Sequence, residues 1–403
     1  MKKIFYLIIA AMLIIGMFEA CEGPEGPMGP QGDPGTPGSG SVVNWEGFKE
    51  GIVCGECHNP DIDTTYYVWA RKFQWEHSRH YLGDTYATRN NAPCSGCHTT
   101  EGLVQRALAG FPPQVFPVGW SVVTSQPNST PVGCFACHSP HSNGDFSLRT
   151  ASLSDVVIWS PMEGIEDQTI DLGKGNMCLM CHQTRGTSFN PKMKMSQGAT
   201  DTLKITSSRW YPHYGVQGLM FLGASKGGGF EFSGTSYENS SHPTHEQIVQ
   251  GGCPSCHMAE PEEGVSGGHT NNIEIEEGDY NTNGCLQSGC HSGSIDVETF
   301  VGGSASLTGG MGVYEYVGEY LDTLANLLMS EGILGTNGLV QGNNGTSNAS
   351  SSNPRTFVGP SGLLKAGALY NYYFIEHDAS HGIHNSRYTI QLLNDSIEEM
   401  KKP

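Results

Sequence analysis

Cys54-Gly-Glu-Cys57-His58 is the stretch that decides how this chain is read. It recurs as Cys94-Ser-Gly-Cys97-His98, Cys134-Phe-Ala-Cys137-His138, Cys178-Leu-Met-Cys181-His182 and Cys253-Pro-Ser-Cys256-His257. A sixth copy is stretched: Cys285-Leu-Gln-Ser-Gly-Cys290-His291. Two thiols followed at once by histidine is the spacing of covalent c-type haem attachment. The thiols reach two vinyl groups on one porphyrin edge, and the next side chain swings under the ring to the iron. A single copy would equally suit a zinc half-site or a redox dithiol. Five regular copies do not, because zinc sites pair two Cys-x-x-Cys units. For the stretched copy the alternative is a local disulfide between Cys285 and Cys290. Of thirteen cysteines, twelve fall in six pairs and Cys21 is left over.

The chain has 403 residues, only 37% hydrophobic, with 54 glycines. Six haems are large apolar plates, and twelve thioether bonds would restrict the unfolded chain much as disulfides do. The expected fold is therefore mainly α with long loops and little β-sheet, short helices organised around packed haems rather than a conventional core. A formal charge of −19 argues against a nucleic-acid partner. It suits solubility, a cationic partner or a mineral electron acceptor.

Residues 1–20 read as a signal peptide of lipoprotein type. Lys2 and Lys3 precede an apolar run from Ile4 to Phe18, too short for a membrane span. Cys21 follows Glu19-Ala20 and is the expected lipid-attachment residue, although Phe18 and Glu19 depart from the usual cleavage pattern. Ordinary signal cleavage or a free thiol is the alternative. Gly23 to Gly38 places glycine at nearly every third position with proline between, a collagen-like pattern. Residues 21–40 are read as a lipidated cysteine and a semi-extended spacer, with a trimerising stalk as the alternative.

Residues 41–300 are expected to form the haem-binding domain with its six sites, and 301–403 a helical segment that closes it and supplies a distal ligand. Trp69 to His80 reads as helix, with His77 and His80 on one face. Phe111 to Pro131 reads as loop. His141 follows His138 too closely to wrap round to the same iron, so a neighbouring iron is its expected target. Gly312 to Leu334 has apolar residues three and four apart and reads as an amphipathic helix. Gly335 to Gly359 reads as a mobile loop. Leu363 to His377 and Asn385 to Met400 read as two further helices.

Several flanking strings carry a resemblance. Trp-x-x-Ser-x-His ending at His80, Pro-His-Tyr-Gly-x-Gln-Gly around His213 and His242 ahead of Cys-x-x-Cys-His-Met are three of them. Gly-Gly-His-Thr at His269 and Gly-Ile-His-Asn at His384 are two more. Together with the motifs they resemble multihaem c-type cytochromes, the broad class of ammonia-forming nitrite reductases, octahaem reductases and bis-histidine electron-transfer cytochromes. The resemblance implies six haem c groups in stacked and T-shaped pairs within a helical, loop-rich fold. Sixteen histidines are present. The proximal ligands are His58, His98, His138, His182, His257 and His291. The strings imply His80, His141, His213, His242, His269 and His384 as distal ligands. His77, His245, His377 and His381 are then spare, with surface or propionate-binding roles. Methionine is an alternative axial ligand, with Met180 and Met258 inside or beside motifs, though packing accounts for both.

Irons with two histidines are coordinatively full, the design of an electron wire. The expected function is electron transfer at the bacterial cell envelope or surface, from a membrane-anchored, exported lipoprotein facing the periplasm or the outside. Expected partners are other cytochromes or an extracellular acceptor, with self-association possible and no nucleic acid. The chain is expected to be a carrier without catalytic residues. One alternative is a multihaem oxidoreductase acting on small nitrogen or sulfur oxyanions at one open haem. No Cys-x-x-Cys-Lys, which usually marks such a haem in the relatives, occurs here. Another alternative is a subunit of a polymeric cytochrome filament.

Overall fold

The computed structural model describes residues 49–111, 123–151, 153, 155–184, 192–240, 251–287 and 290–403. The signal peptide, Cys21, the collagen-like stretch, His242 and His245 lie outside the described residues. From 49 to 111 the chain has almost no apolar interior of its own. Leu103 and Val104 are the buried hydrophobic side chains among the described residues there. Helix α1 (Val68–Glu76) buries none of its residues. It is held from its N-terminal side by Asp63. That carboxylate accepts from the backbone N–H groups of Tyr66 at 2.8 Å, Tyr67 at 2.9 Å and Val68 at 2.6 Å, satisfying donors a helix start leaves open. On the other side, the Trp75 indole donates to the Val132 carbonyl at 2.9 Å.

The run from Trp69 to His80 is not one helix. Ser78 adopts an extended backbone, its hydroxyl donates to Trp75 O, and its oxygen accepts from Tyr81 N. This local bonding competes with the helix and starts a new single turn, Arg79–Leu82. His77 and His80 therefore do not share a helix face, contrary to the sequence expectation. Helix α2 (Ala92–His98) carries the second motif, and α3 (Thr100–Leu108) follows immediately, capped by the Thr99 hydroxyl on Gly102 N.

The C-terminal third builds a conventional apolar core. Helices α4 (Val313–Ser330), α5 (Gly359–Asp378) and α6 (Ser386–Met400) are the three helices the sequence marks there, with α5 starting four residues before its expected bound. Both α4 and α5 pack against α6. Leu324, Leu328, Leu363, Leu369, Phe374 and Leu393 are fully buried among them. Gly367 sits mid-helix in α5 because a Cβ there would lie 2.3 Å from the Phe230 ring. The helix gives up about 1 kcal/mol of propensity for that contact. Asn371, one turn further, is buried and accepts from Phe230 N at 2.7 Å. It also donates to Phe230 O at 2.9 Å and to the Ser396 hydroxyl at 3.1 Å.

The fold is mainly helical with long loops and little sheet. Among the described residues the strands form three two-stranded antiparallel pairs: β1 (Val156–Ile158) with β2 (Gln168–Ile170), β3 (Thr202–Ile205) with β6 (Arg355–Val358), and β4 (Glu274–Glu276) with β5 (Asp279–Tyr280). The β3–β6 pair overturns part of the expected mobile loop. Residues ahead of β6 are also bonded, with bridges Leu334–Val340 and Gln341–Asn348. The asparagines responsible stand in for backbone groups. Asn344 Oδ1 accepts from Thr346 N, and Asn343 Oδ1 from Thr356 N.

Candidate metal centres

Five of the six motif histidines face a second histidine ring across a gap of one width. The ring centroids are 6.1 Å apart for His58 and His141, 6.1 Å for His98 and His213, and 6.5 Å for His138 and His269. They are 6.3 Å apart for His182 and His80, and 6.2 Å for His257 and His384. Two imidazoles on opposite sides of one metal ion need about 2.0 Å from metal to nitrogen and about 1.1 Å from nitrogen to ring centre on each side, roughly 6.2 Å in all. The observed gaps fit one ion between each pair. They are too wide for direct ring stacking. The sixth motif histidine, His291, meets the Phe300 ring at 5.0 Å. His242, the remaining expected distal ligand, lies outside the described residues.

The second ring of each pair comes from a distant part of the chain. His141 faces His58 of the first motif, not its sequence neighbour His138. His80 follows the break at Ser78. His269 lies in a single turn (Gly268–Thr270) packed on α1, where Gln74 accepts from its backbone N–H at 3.0 Å. His384 lies in the turn between α5 and α6. Backbone strain gathers at these turns. His213 has φ +71°, Asn271 +57°, Ala379 +55° and His381 +46°, the left-handed region that side chains other than glycine seldom adopt.

The rings are fixed from behind through Nδ1. His257 Nδ1 lies 3.1 Å from Asn271 O, and His182 Nδ1 lies 3.3 Å from the Gln217 side-chain oxygen. His138 Nδ1 is 3.4 Å from Ser147 O. His384 differs: its Nδ1 lies 2.8 Å from the Asp378 carboxylate, and that side chain is 2% exposed. Burial and the neighbouring imidazole push His80 down to about 4, and burial with the Arg71 charge does the same for His269. Burial also lowers His138, His182 and His257. Burial pulls His384 the same way, but the Asp378 charge and hydrogen bond outweigh it and hold that imidazole above its ordinary value. Sequence reading gave no role to Asp378, Gln217 or Asn271. Asp378 alone carried a signal, as a carboxylate in the last turn of a helix, where the helix dipole disfavours negative charge.

The described spare histidines, His77, His377 and His381, sit elsewhere. His77 packs on Phe73 at 4.5 Å, and its Nδ1 is 2.8 Å from Phe73 O. His377 lies among Tyr211, Tyr214 and Tyr373 and pairs with Glu376 at 2.9 Å. His381 stacks on Tyr314 at 4.1 Å.

Among the described residues no disulfide joins the twelve motif cysteines, Cys285 and Cys290 included. The motifs lie against one another. Cys181 Sγ is 3.8 Å from Cys97 O, and Cys97 Sγ is 3.8 Å from Met180 O. Buried Arg106 donates to both Cys97 Sγ and the Met180 carbonyl. Gly175, just before the fourth motif, meets the fifth so closely that a Cβ would stand 3.2 Å from Cys253 N. Gln287 of the sixth donates to Ser255 O of the fifth at 2.9 Å. Burial pushes the Cys137 thiol up to about 11 and Cys256 up to about 12.

Large apolar side chains are exposed beside the ligand positions. Val53, Leu82, Phe135, Tyr214, Leu286 and Ile383 each lie within two residues of a motif cysteine or a paired histidine. An apolar plate seated between the paired rings would be received by such side chains. The donor set, the gap between rings and these flanking surfaces fit haem at the five described pairs.

Among the described residues no helix is long and apolar enough to cross a membrane. No family model matches the chain, and no solved structure matches it. In two strains of Geobacter sulfurreducens the C-type polyheme cytochrome OmcB is 24% identical over 222 residues. The match spans 49% of this chain and only 27% of that protein, so the chain is similar to a part of a polyhaem cytochrome.

Proposed function

We propose that the chain is a multihaem c-type cytochrome that carries electrons through six covalently bound haems at the bacterial cell envelope or surface. The observation that carries this reading is the set of five ring gaps, 6.1 to 6.5 Å, each opening from a Cys-x-x-Cys-His histidine. The similarity to a polyhaem cytochrome supports it independently. Haem c, when bound, supplies reversible one-electron chemistry at its iron.

The chain's own residues do the rest. The twelve motif cysteines would hold the haems as thioethers. His58 with His141, His98 with His213, His138 with His269, His182 with His80 and His257 with His384 would hold iron at five sites. His291 with His242 is proposed for the sixth. With two histidines on an iron no position would be left for substrate, so such sites would pass electrons without making bonds. The motif contacts 97–181, 175–253 and 255–287 set neighbouring sites side by side, which short electron steps require. A lipid on Cys21 would tether the body and residues 23–38 would lift it from the membrane, towards a partner cytochrome or an extracellular acceptor.

Mass spectrometry of the exported protein under denaturing conditions tests the reading. Six haems retained covalently per chain support it. A protein without covalent haem, its thiols free or holding zinc, would end it.

A further inference from the structure

The helix α5 ends by burying a carboxylate where its own dipole is negative. Asp378 is the last helical residue, and its side chain is 2% exposed. One oxygen lies 2.8 Å from His384 Nδ1, and the other accepts from the Ser380 hydroxyl. Ser380 Oγ in turn accepts from His384 N at 3.2 Å, and Ala379 and His381 take left-handed backbone to close the turn. A buried anion at a helix C-terminus, in a strained turn, costs stability. Its only described partners are Ser380 and the ring that faces His257.

An imidazole whose far nitrogen donates to a carboxylate gains imidazolate character and becomes a stronger electron donor through the other nitrogen. A stronger donor favours the ferric over the ferrous ion and lowers the reduction potential. The other described Nδ1 partners of paired rings are neutral: Ser147 O for His138, Gln217 for His182, Asn271 O for His257. The His138 and His269 pair has cations beside it instead: Arg71 lies on α1, which packs on the turn of His269, and the Arg149 side chain donates to Phe135 O of the third motif at 2.8 Å, and these act in the opposite sense.

We infer that Asp378 is a positioning residue that sets the potential of the haem held by His257 and His384 below that of the haem held by His138 and His269. This rests on the haem reading. The motif of Cys253 lies between those of Cys178 and Cys285, so the low site falls inside the path.

The test is potentiometric titration of the full holoprotein, followed by visible absorbance and low-temperature electron paramagnetic resonance, for the wild type, Asp378→Asn and Ser380→Ala. In Asp378→Asn one haem component moves to higher potential with altered g-values, and five stay in place. In Ser380→Ala the carboxylate loses a competing donor, and the same component moves lower. If Asp378→Asn does not accumulate, Ser380→Ala decides alone. Six haems with unchanged potentials in the variants would overturn the inference and leave the haem reading standing. So would a new high-spin haem in Asp378→Asn, which would make the carboxylate a structural prop. A wild type lacking haem on Cys253 and Cys256 would instead bring down the reading beneath it.

Discussion

The rings of His98 and His213 stand 6.1 Å apart with their planes at 88°, whereas His58 and His141, at the same separation, lie within 27° of parallel. Ring orientation sets how far two imidazoles split the π-symmetry d orbitals of an iron between them. Parallel rings act together, and perpendicular rings cancel. The oxidised protein should therefore show at least two kinds of low-spin ferric signal, one rhombic and one strongly anisotropic. His213→Ala should abolish the anisotropic signal and give one high-spin haem. A wild-type spectrum with rhombic signals alone would contradict the geometry of the 98–213 pair.

The stretched motif makes its own prediction. Cys285→Ser should leave one thioether and one unreacted vinyl at the sixth site, so that this haem stays attached through Cys290 while its reduced absorption band shifts to the red of the other five. If Cys285 and Cys290 form a disulfide instead, the wild type carries five haems and the variant also carries five. Haem counting by mass spectrometry separates the two outcomes.

Asn371→Ala should destabilise the C-terminal helices without changing any haem signal. It removes both bonds to the Phe230 backbone and leaves a buried N–H without its acceptor, at a cost of about 2 to 3 kcal/mol. Thermal unfolding checks this. A shift in midpoint within error would show that the Asn371 clamp contributes nothing.

Asp63 gives a pH dependence. Burial pushes its carboxyl up, but bonds from the backbone N–H groups, Val68 first, outweigh this and hold it below the ordinary value. The folded pKa is below the unfolded one, about 3.9. Its stabilisation is present above the unfolded value and is lost as pH falls through the folded value. Exchange protection of amides 66–68 should therefore weaken in acid, and Asp63→Asn should flatten that dependence. Equal pH profiles for the variant and the wild type would contradict the assignment.

The six motif histidines stood out in the sequence as candidate ligands because covalent attachment ties chemistry to strict local spacing. The helices α4 to α6 were readable from their apolar periodicity. Ring pairing was not, because His80 meets His182 and His257 meets His384 through tertiary contacts that leave no local pattern. The break at Ser78 escaped notice because a single hydroxyl outcompeted a helical propensity that looked continuous. The loop before β6 looked mobile from its Gly, Asn and Ser content. Its asparagine side chains close its turns instead. Asp378 offered one local sign, a carboxylate at the unfavourable end of a helix, and its role shows only once His384 is seen beside it.

The most direct measurement is low-temperature electron paramagnetic resonance of the oxidised holoprotein, integrated against haem quantified on the same sample. Six haems per chain, all low-spin, are predicted from the five described ring pairs and the sixth proposed with His242. A high-spin component near one haem per chain that shifts with added nitrite or hydroxylamine would contradict the account. It would place an open, reactive iron where two histidines are proposed.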